Sequence, residues 1–249
     1  IGSGGYGFVL VAQHRATRAR VCVKFIVKDN IPSRHWIYDP GINARVPIEV
    51  YVLKYANHKG IIGYEGLFED SIYFYLRPSL PRLPSHDLFE CIEQHSRLHE
   101  DDAKYIFTQV VDTVAYLDSL GIAHRDIKDE NLVIDENLKV KLIDFGSAVI
   151  WNSERAPPFY DRFYGTKTFA SSEILRKKPY QAAPAEAWSL GVLLCFLVAG
   201  QSPFVDVPAA IAGTISRPKK GTVSRECMHL IRGCLRVDPH ERYTVEQIK

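Results

Sequence analysis

Cysteine pairs are missing from this chain. Its five cysteines, Cys22, Cys91, Cys195, Cys227 and Cys234, are odd in number and include no Cys-x-x-Cys spacing. A disulfide framework is not expected, and a reducing compartment, cytoplasmic or nuclear, fits best. Excess charge is missing too: 31 basic residues stand against 29 acidic ones, for a net charge of +2. That leaves no electrostatic case for nucleic acid or an anionic membrane as a partner. The most apolar stretch, Trp188–Ala199, covers 12 residues, which is too short to cross a bilayer and reads as a buried core helix. No signal peptide, internal repeat or low-complexity tract is visible.

What is present suits a folded domain. With 249 residues, 46% of them hydrophobic and 24% charged, the chain is long enough for one large domain or two lobes around a cleft. Residue 1 already lies inside a glycine-rich motif, so the chain reads as cut from something longer. The first 75 or so residues carry β-branched and aromatic runs (Phe8–Ala12, Val21–Val27, Ile72–Leu76) broken by a helical stretch at Pro47–Ala56. Three prolines then fall in the seven residues from Pro78 to Pro84, which predicts a connector. Beyond it, Ala103, Ile106, Phe107, Val110, Val114 and Leu117 mark one face of a helix. Glu100–Asp102 suit its start and Gly121 its end. The pattern predicts a small β-rich lobe (1–77) and a larger, mainly helical lobe (78–249), an α+β architecture.

Three motifs carry chemistry. The first, Gly2-Ser3-Gly4-Gly5-Tyr6-Gly7-Phe8-Val9, fits G-x-G-x-x-G-x-V, in which bare glycines let backbone amides approach phosphates. A dinucleotide-binding fold uses the same glycines but wants a helix directly after them. Here Phe8–Ala12 reads as a strand; a plain glycine-rich hairpin stays open. The second is Lys24, in Val21-Cys22-Val23-Lys24, a candidate contact for the α/β-phosphates if an acid holds it. Glu49 is the natural holder, with Asp29 and Glu65 as competitors; a solvated lysine and a surface acid are the bland alternative. The third runs His124-Arg125-Asp126-Ile127-Lys128-Asp129-Glu130-Asn131, followed by Asp144-Phe145-Gly146. Between them, Leu132–Ile134 and Lys139–Ile143 read as two short strands joined by a turn at Asp135–Asn137, which would bring Asn131 and Asp144 together. One amide and one carboxylate are hard oxygen ligands suited to magnesium beside ATP phosphates. Asp126 would orient or accept the acceptor's hydroxyl proton, and Lys128 would steady the phosphoryl group. Taken singly, His124 reads as structural, Asp126 as a turn residue and Asn131 as a cap; together the motifs keep one order and spacing.

From Ile1 to Ile248 the chain resembles a eukaryotic protein kinase domain. Lys128 and Thr166 resemble the serine/threonine branch. Within it, His124–Asn131, Leu142–Ala148, Glu186–Gly191 (with Glu where most kinases have Asp) and the insert with Trp36 and Asp39-Pro40 are similar to PAS-domain-regulated kinases near the calcium/calmodulin-dependent group. The resemblance implies a bilobal kinase fold, with ATP and Mg2+ as cofactors, protein Ser/Thr substrates and a regulatory domain outside the chain. It places Gly2, Gly4, Gly7, Val9, Lys24 and Glu49 at ATP, Asn131 and Asp144 at the metal, and Asp126 and Lys128 at the chemistry. A pseudokinase, binding nucleotide or acting as a scaffold, is the alternative.

The departures have consequences. Ser171-Ser172-Glu173 replaces the usual A-P-E, yet Glu173 and Arg242 are retained for the buried pair that kinases form there. Arg77-Pro78-Ser79-Leu80 lacks the usual acid of the connector, so the adenine contacts are not assignable by residue. Ser153, Tyr160 and Tyr164 are candidate hydroxyls of the segment before Gly165, and Arg125 would receive a phosphate there; loop phosphorylation is expected to be dispensable. Glu130 resembles an acid that reads upstream arginines, with Asp87, Glu90 and Glu93 as possible additions, whereas Phe196 stands where such kinases place another acid. A modest basic preference is expected. Cys91, His95 and His99 share one helical spacing, but a metal would need a further ligand and none is evident.

Overall fold

The computed structural model describes residues 2–4, 6–79, 86–152, 154–218 and 223–249, with backbone alone for 2–4 and 86. Alternation in the first region yields an antiparallel sheet in the order β1 (Gly2–Gly4), β2 (Gly7–Gln13), β3 (Arg20–Val27), β7 (Tyr73–Ser79), β6 (Gly63–Glu69). Period-two geometry puts Lys24 and Ile26 on the same face of β3, with Lys24 opposite Leu76. Ile26, Phe74 and Leu76 are buried beneath the sheet. Phe8, Phe25, Tyr73 and Tyr75 form a ladder of ring contacts, the closest being Phe8–Phe25 at 4.8 Å. Between β3 and the helix α1 (Ile48–Tyr55) lie two 3-10 turns and a separate hairpin, β4 (Trp36–Asp39) with β5 (Ala44–Pro47).

The connector begins later than the prolines suggested, because Pro78 is inside β7 and opposite Tyr64. The physical reason is positional: β3 pairs with β7 only from Leu76 back to Tyr73, so Pro78 needs no donor on that side. Residues 80–85 of the expected connector lie outside the described residues.

The second region is built on helices. In order they are α2 (Leu88–His95), α3 (Glu100–Ser119), α4 (Ser172–Leu175), α5 (Ala182–Ala199), α6 (Val207–Ala212), α7 (Arg225–Cys234) and α8 (Val245–Ile248). Short strands thread among them: β8 (His86–Asp87), β9 (Ile122–Ala123), β10 (Leu132–Ile134), β11 (Val140–Leu142), β12 (Val149–Ile150), β13 (Phe159–Tyr160) and β14 (Tyr180–Gln181). The six apolar positions anticipated for α3 are all buried, and Gly121 sits just past its end with φ 68°. α5 corrects the sequence reading. It is 18 residues rather than 12, long and apolar enough to span a membrane by composition, but 78% of it is buried inside the protein. It is the core helix of this half.

The two regions meet where β11 joins the turn after α1. Leu142 N–H donates to Gly60 O at 2.7 Å, and Ile62 N–H donates to Leu142 O at 3.1 Å. Under α5, Arg242 grips Glu173 with two bonds of 3.0 Å and lies 5.1 Å from the Trp188 ring. Burial pushes the Glu173 carboxyl up, but Arg242 outweighs it and holds the group below its ordinary value. Of the two serines in place of Ala-Pro, Ser172 is used: its Oγ donates to Val237 O at 3.2 Å. Removing one partner of a buried pair strands the other charge, at a cost of about 3–5 kcal/mol. Glu173→Gln is therefore expected to lower the unfolding free energy in urea titration by about 3 kcal/mol; a loss under about 1 kcal/mol would mean that the pair behaves as a solvated one.

Candidate active site

Lys24 is the centre of the site. Its Nζ lies 2.6 and 2.8 Å from the two Glu49 oxygens and 2.8 Å from Asp144 Oδ1. Glu49, the second residue of α1, is 3% exposed and also accepts the Phe145 N–H. The competing acids are elsewhere: Asp29 is in the 3-10 turn after β3, and Glu65 pairs with Arg77 at 2.8 Å. Burial works to lower the Lys24 pKa, but the two carboxylates more than offset it and the net shift is upward. Burial raises Glu49. Burial also pushes Asp144 up, yet Lys24 beside it brings the net shift below the ordinary value. Asp144 has φ 61° and ψ 77°, a left-handed conformation uncommon outside glycine, and its Oδ1 accepts the Gly146 N–H at 3.3 Å. That local bond fits the tolerance of Asp for this region.

The loop from His124 to Asn131 supplies the second half. Asp126 Oδ1 accepts the backbone N–H of Thr166 at 2.7 Å, and Oδ2 accepts Asn131 Nδ2 at 3.0 Å. Asn131 Nδ2 also donates to Asp126 O at 2.8 Å. Lys128 Nζ lies 3.9 Å from Asp126 and 2.5 Å from Glu130. The β10–β11 hairpin does what its length suggested: Ile143 N–H donates to Asn131 O at 2.9 Å, so Asn131 and Asp144 are neighbours. His124 is fully buried, bonds Ile143 O at 2.9 Å and packs edge-on to Phe145 at 4.7 Å; burial lowers its pKa. It is a structural group.

The donor set fits a hard divalent cation. Asn131 spends its Nδ2 on Asp126, which leaves Oδ1 as the amide's ligand atom. Lys24 and Gly146 both bond Asp144 through Oδ1, which leaves Oδ2. Those two oxygens would hold Mg2+, with phosphate oxygens completing its shell.

Arg125, with φ 66°, gives its backbone N–H to Glu186 Oε1 of α5 at 2.7 Å. Its guanidinium lies 5.0, 5.9 and 5.6 Å from the rings of Tyr160, Tyr164 and Tyr180 and donates to Arg162 O at 2.6 Å. The arginine expected to receive a phosphate is thus set among aromatic rings. Ser153 lies outside the described residues. Ser147, which sequence reasoning passed over, donates to Tyr164 O at 3.3 Å.

Other expectations resolve less simply. β1 pairs Gly2 with Val9 and Gly4 with Gly7. A Cβ on Gly7 would meet Phe25 O at 1.7 Å, so this glycine answers first to the close approach of β3. Asp87 also has a local role, its Oδ1 capping α2 by accepting the Glu90 N–H at 2.8 Å. His99 caps α3, and His95 Nδ1 bonds Cys91 O, so those side chains serve helix ends.

A family model described as "Protein kinase domain" matches residues 1–249. The chain belongs to the protein kinase family. Its relatives include the PAS domain-containing serine/threonine-protein kinase of Mus musculus, 40% identical over all of this chain and 17% of the relative. Serine/threonine-protein kinase PSK1 of Saccharomyces cerevisiae is 35% identical over all of the chain and 18% of the relative. Serine/threonine-protein kinase pim-2 of Danio rerio is 34% identical over all of the chain and 80% of the relative. The chain thus spans less than a fifth of the first two relatives' length.

In this kinase domain Glu186 is a buried carboxyl that also receives the His124 N–H; burial pushes its pKa up from 4.5 to about 7. A carboxyl whose folded value is raised keeps its proton longer in the fold, so its contribution to stability falls as pH rises from 4.5 to about 7. The stability of wild type minus that of Glu186→Gln is expected to drop across that window and level above it; a pH-independent difference in thermal unfolding would contradict the assignment.

Proposed function

We propose that this domain is an active serine/threonine protein kinase that transfers the ATP γ-phosphoryl group to protein hydroxyls. One observation supports this above the rest: Lys24 bonds both Glu49 and Asp144 while Asp126 is held by Asn131 and Thr166. In this reading the first lobe runs through β7 to Ser79, past the boundary expected at 77/78, the helical region is the second lobe, and Gly2, Gly4, Gly7 and Val9 cover the phosphates. Lys24 contacts the α/β-phosphates, and bound Mg2+ supplies neutralisation of phosphate charge. The substrate oxygen forms its bond to the γ-phosphorus as the bond to the β,γ-bridging oxygen breaks. Asp126 takes the hydroxyl proton and Lys128 faces the transferring group, so positioning and electrostatics carry the rate. None of Lys24, Asp126, Asn131 and Asp144 is substituted, so the scaffold-only alternative has no lost contact to rest on.

Two finer readings accompany this. Arg125 already has Arg162 O and three rings as partners, which supports activity without a loop phosphate. Glu130 is half exposed, though tied to Lys128, and Phe196 stacks on Phe169 at 5.4 Å where an acid would read a second arginine. A modest preference for one basic residue upstream follows, as does a cytoplasmic or nuclear setting for the free thiols.

A peptide library with ATP and Mg2+ tests these together. Transfer to Ser/Thr but not Tyr is expected, above an Asp144→Ala baseline lower by at least about a hundredfold, with mild Arg/Lys enrichment and no loss after phosphatase treatment. Signal equal to the Asp144→Ala baseline would refute catalysis; loss on phosphatase treatment would refute loop independence.

A further inference from the structure

We propose that Asp39, on the insert hairpin, is a positioning residue for phosphoryl transfer: it fastens the hairpin to the last turn of α1 and thereby keeps Glu49 against Lys24. The inference rests on the kinase reading above. Asp39 is fully buried although charged. All its bonds are specific: Oδ2 accepts Lys54 Nζ at 2.7 Å, and Oδ1 accepts the Tyr55 hydroxyl at 2.6 Å and the Gly41 N–H at 2.8 Å. A carboxylate out of water is costly unless paired and hydrogen-bonded, and here every partner comes from the hairpin's own turn or the end of α1. Burial works to raise its pKa, and these bonds overcome it to hold the group ionised.

α1 needs such a clamp. It has eight residues, too few to be stable by itself, and no side-chain cap at Pro47. The hairpin register, Trp36 opposite Pro47 and Asp39 opposite Ala44, feeds β5 straight into the first turn, where Glu49 lies. Asp39 then returns to Lys54 and Tyr55 at the other end. The helix is closed into a bracket, which fixes its rotation and the direction of Glu49. The 3-10 turn at the hairpin's base extends the bracket to the rest of the site. Arg34 pairs with Asp161 at 3.1 Å. His35, 2% exposed, packs edge-on to Tyr6 at 5.8 Å and to Tyr164 at 4.8 Å. Tyr6 belongs to the glycine motif and Tyr164 to the segment around Arg125, so one element touches both partners of the catalytic cleft and the helix that carries Glu49.

The test is steady-state kinetics of Asp39→Ala and Asp39→Asn, each alone and with Glu49→Gln, alongside hydrogen exchange of the α1 amides. Asp39→Ala is expected to lower kcat about tenfold with peptide KM within about twofold, and Asp39→Asn, which keeps the acceptor for Gly41 and Tyr55, to recover part of the loss. In the Glu49→Gln background the Asp39→Ala loss should shrink below about twofold, because both act through one contact. Unchanged kcat, or fully additive losses, would overturn the proposal. If Asp39→Ala does not fold, Tyr55→Phe removes one of the same bonds and is read the same way. If wild type itself shows no transfer, the kinase reading fails; faster exchange in α1 of the Asp39 variants then still supports the clamp, and unchanged exchange overturns it.

Discussion

The ammonium of Lys24 sits between two carboxylates that arrive from opposite sides of the cleft. Glu49 comes with a short helix beneath the sheet, and Asp144 with the turn that ends the β10–β11 hairpin. Neither carboxylate is placed by local structure alone. A charged group removed from water is stabilised only by close, well-aligned partners, so the contact fixes the seam between the two halves as firmly as apolar packing does. Phe145 adds to this, because it is fully buried and its N–H meets Glu49 from the same turn that carries Asp144. α1, the sheet and the turn that carries Asp144 are therefore one coupled arrangement.

The other half of the cleft hangs from α5. Glu186 accepts the backbone of Arg125, and Ser189 Oγ donates to Phe169 O at 3.0 Å, so one buried helix holds both the His124–Asn131 loop and the segment after Thr166. Thr166 N–H in turn holds Asp126. Arg125 links this platform to the strand pair β13–β14 through Tyr160 and Tyr180. Cation–π contacts and one carbonyl serve here in place of an ion pair; such contacts gain strength when shielded from water.

Much of this was legible in the sequence, for identifiable reasons. Motifs with several chemical demands at fixed spacing survive reading without a structure: Asn131 and Asp144 had to be joined by a hairpin, and the alternation on either side of Asp135–Asn137 supplied it. The unread parts depend on distant partners. Nothing near Arg125 announces Tyr160, Tyr164 or Tyr180. Asp39 was read only as part of the insert because its partners, Lys54 and Tyr55, lie beyond another strand. α5 was read short because Pro184 and Glu186 interrupt its apolar run, although proline is at home in a first turn and the carboxyl is satisfied by the loop it carries. Pro78 was read as a connector residue because the missing partner on one side of β7 is a property of the sheet.

The central claim is that the Lys24 ammonium is held between Glu49 and Asp144. A 15Nζ or 13Cε NMR titration of the lysines tests it most directly, with Lys24 assigned by Lys24→Arg. The account predicts that Lys24 stays protonated through pH 10.5, the ordinary lysine value, while exposed lysines titrate, and that Glu49→Gln lowers its midpoint. A Lys24 midpoint at or below 10.5 in the wild-type protein would contradict it.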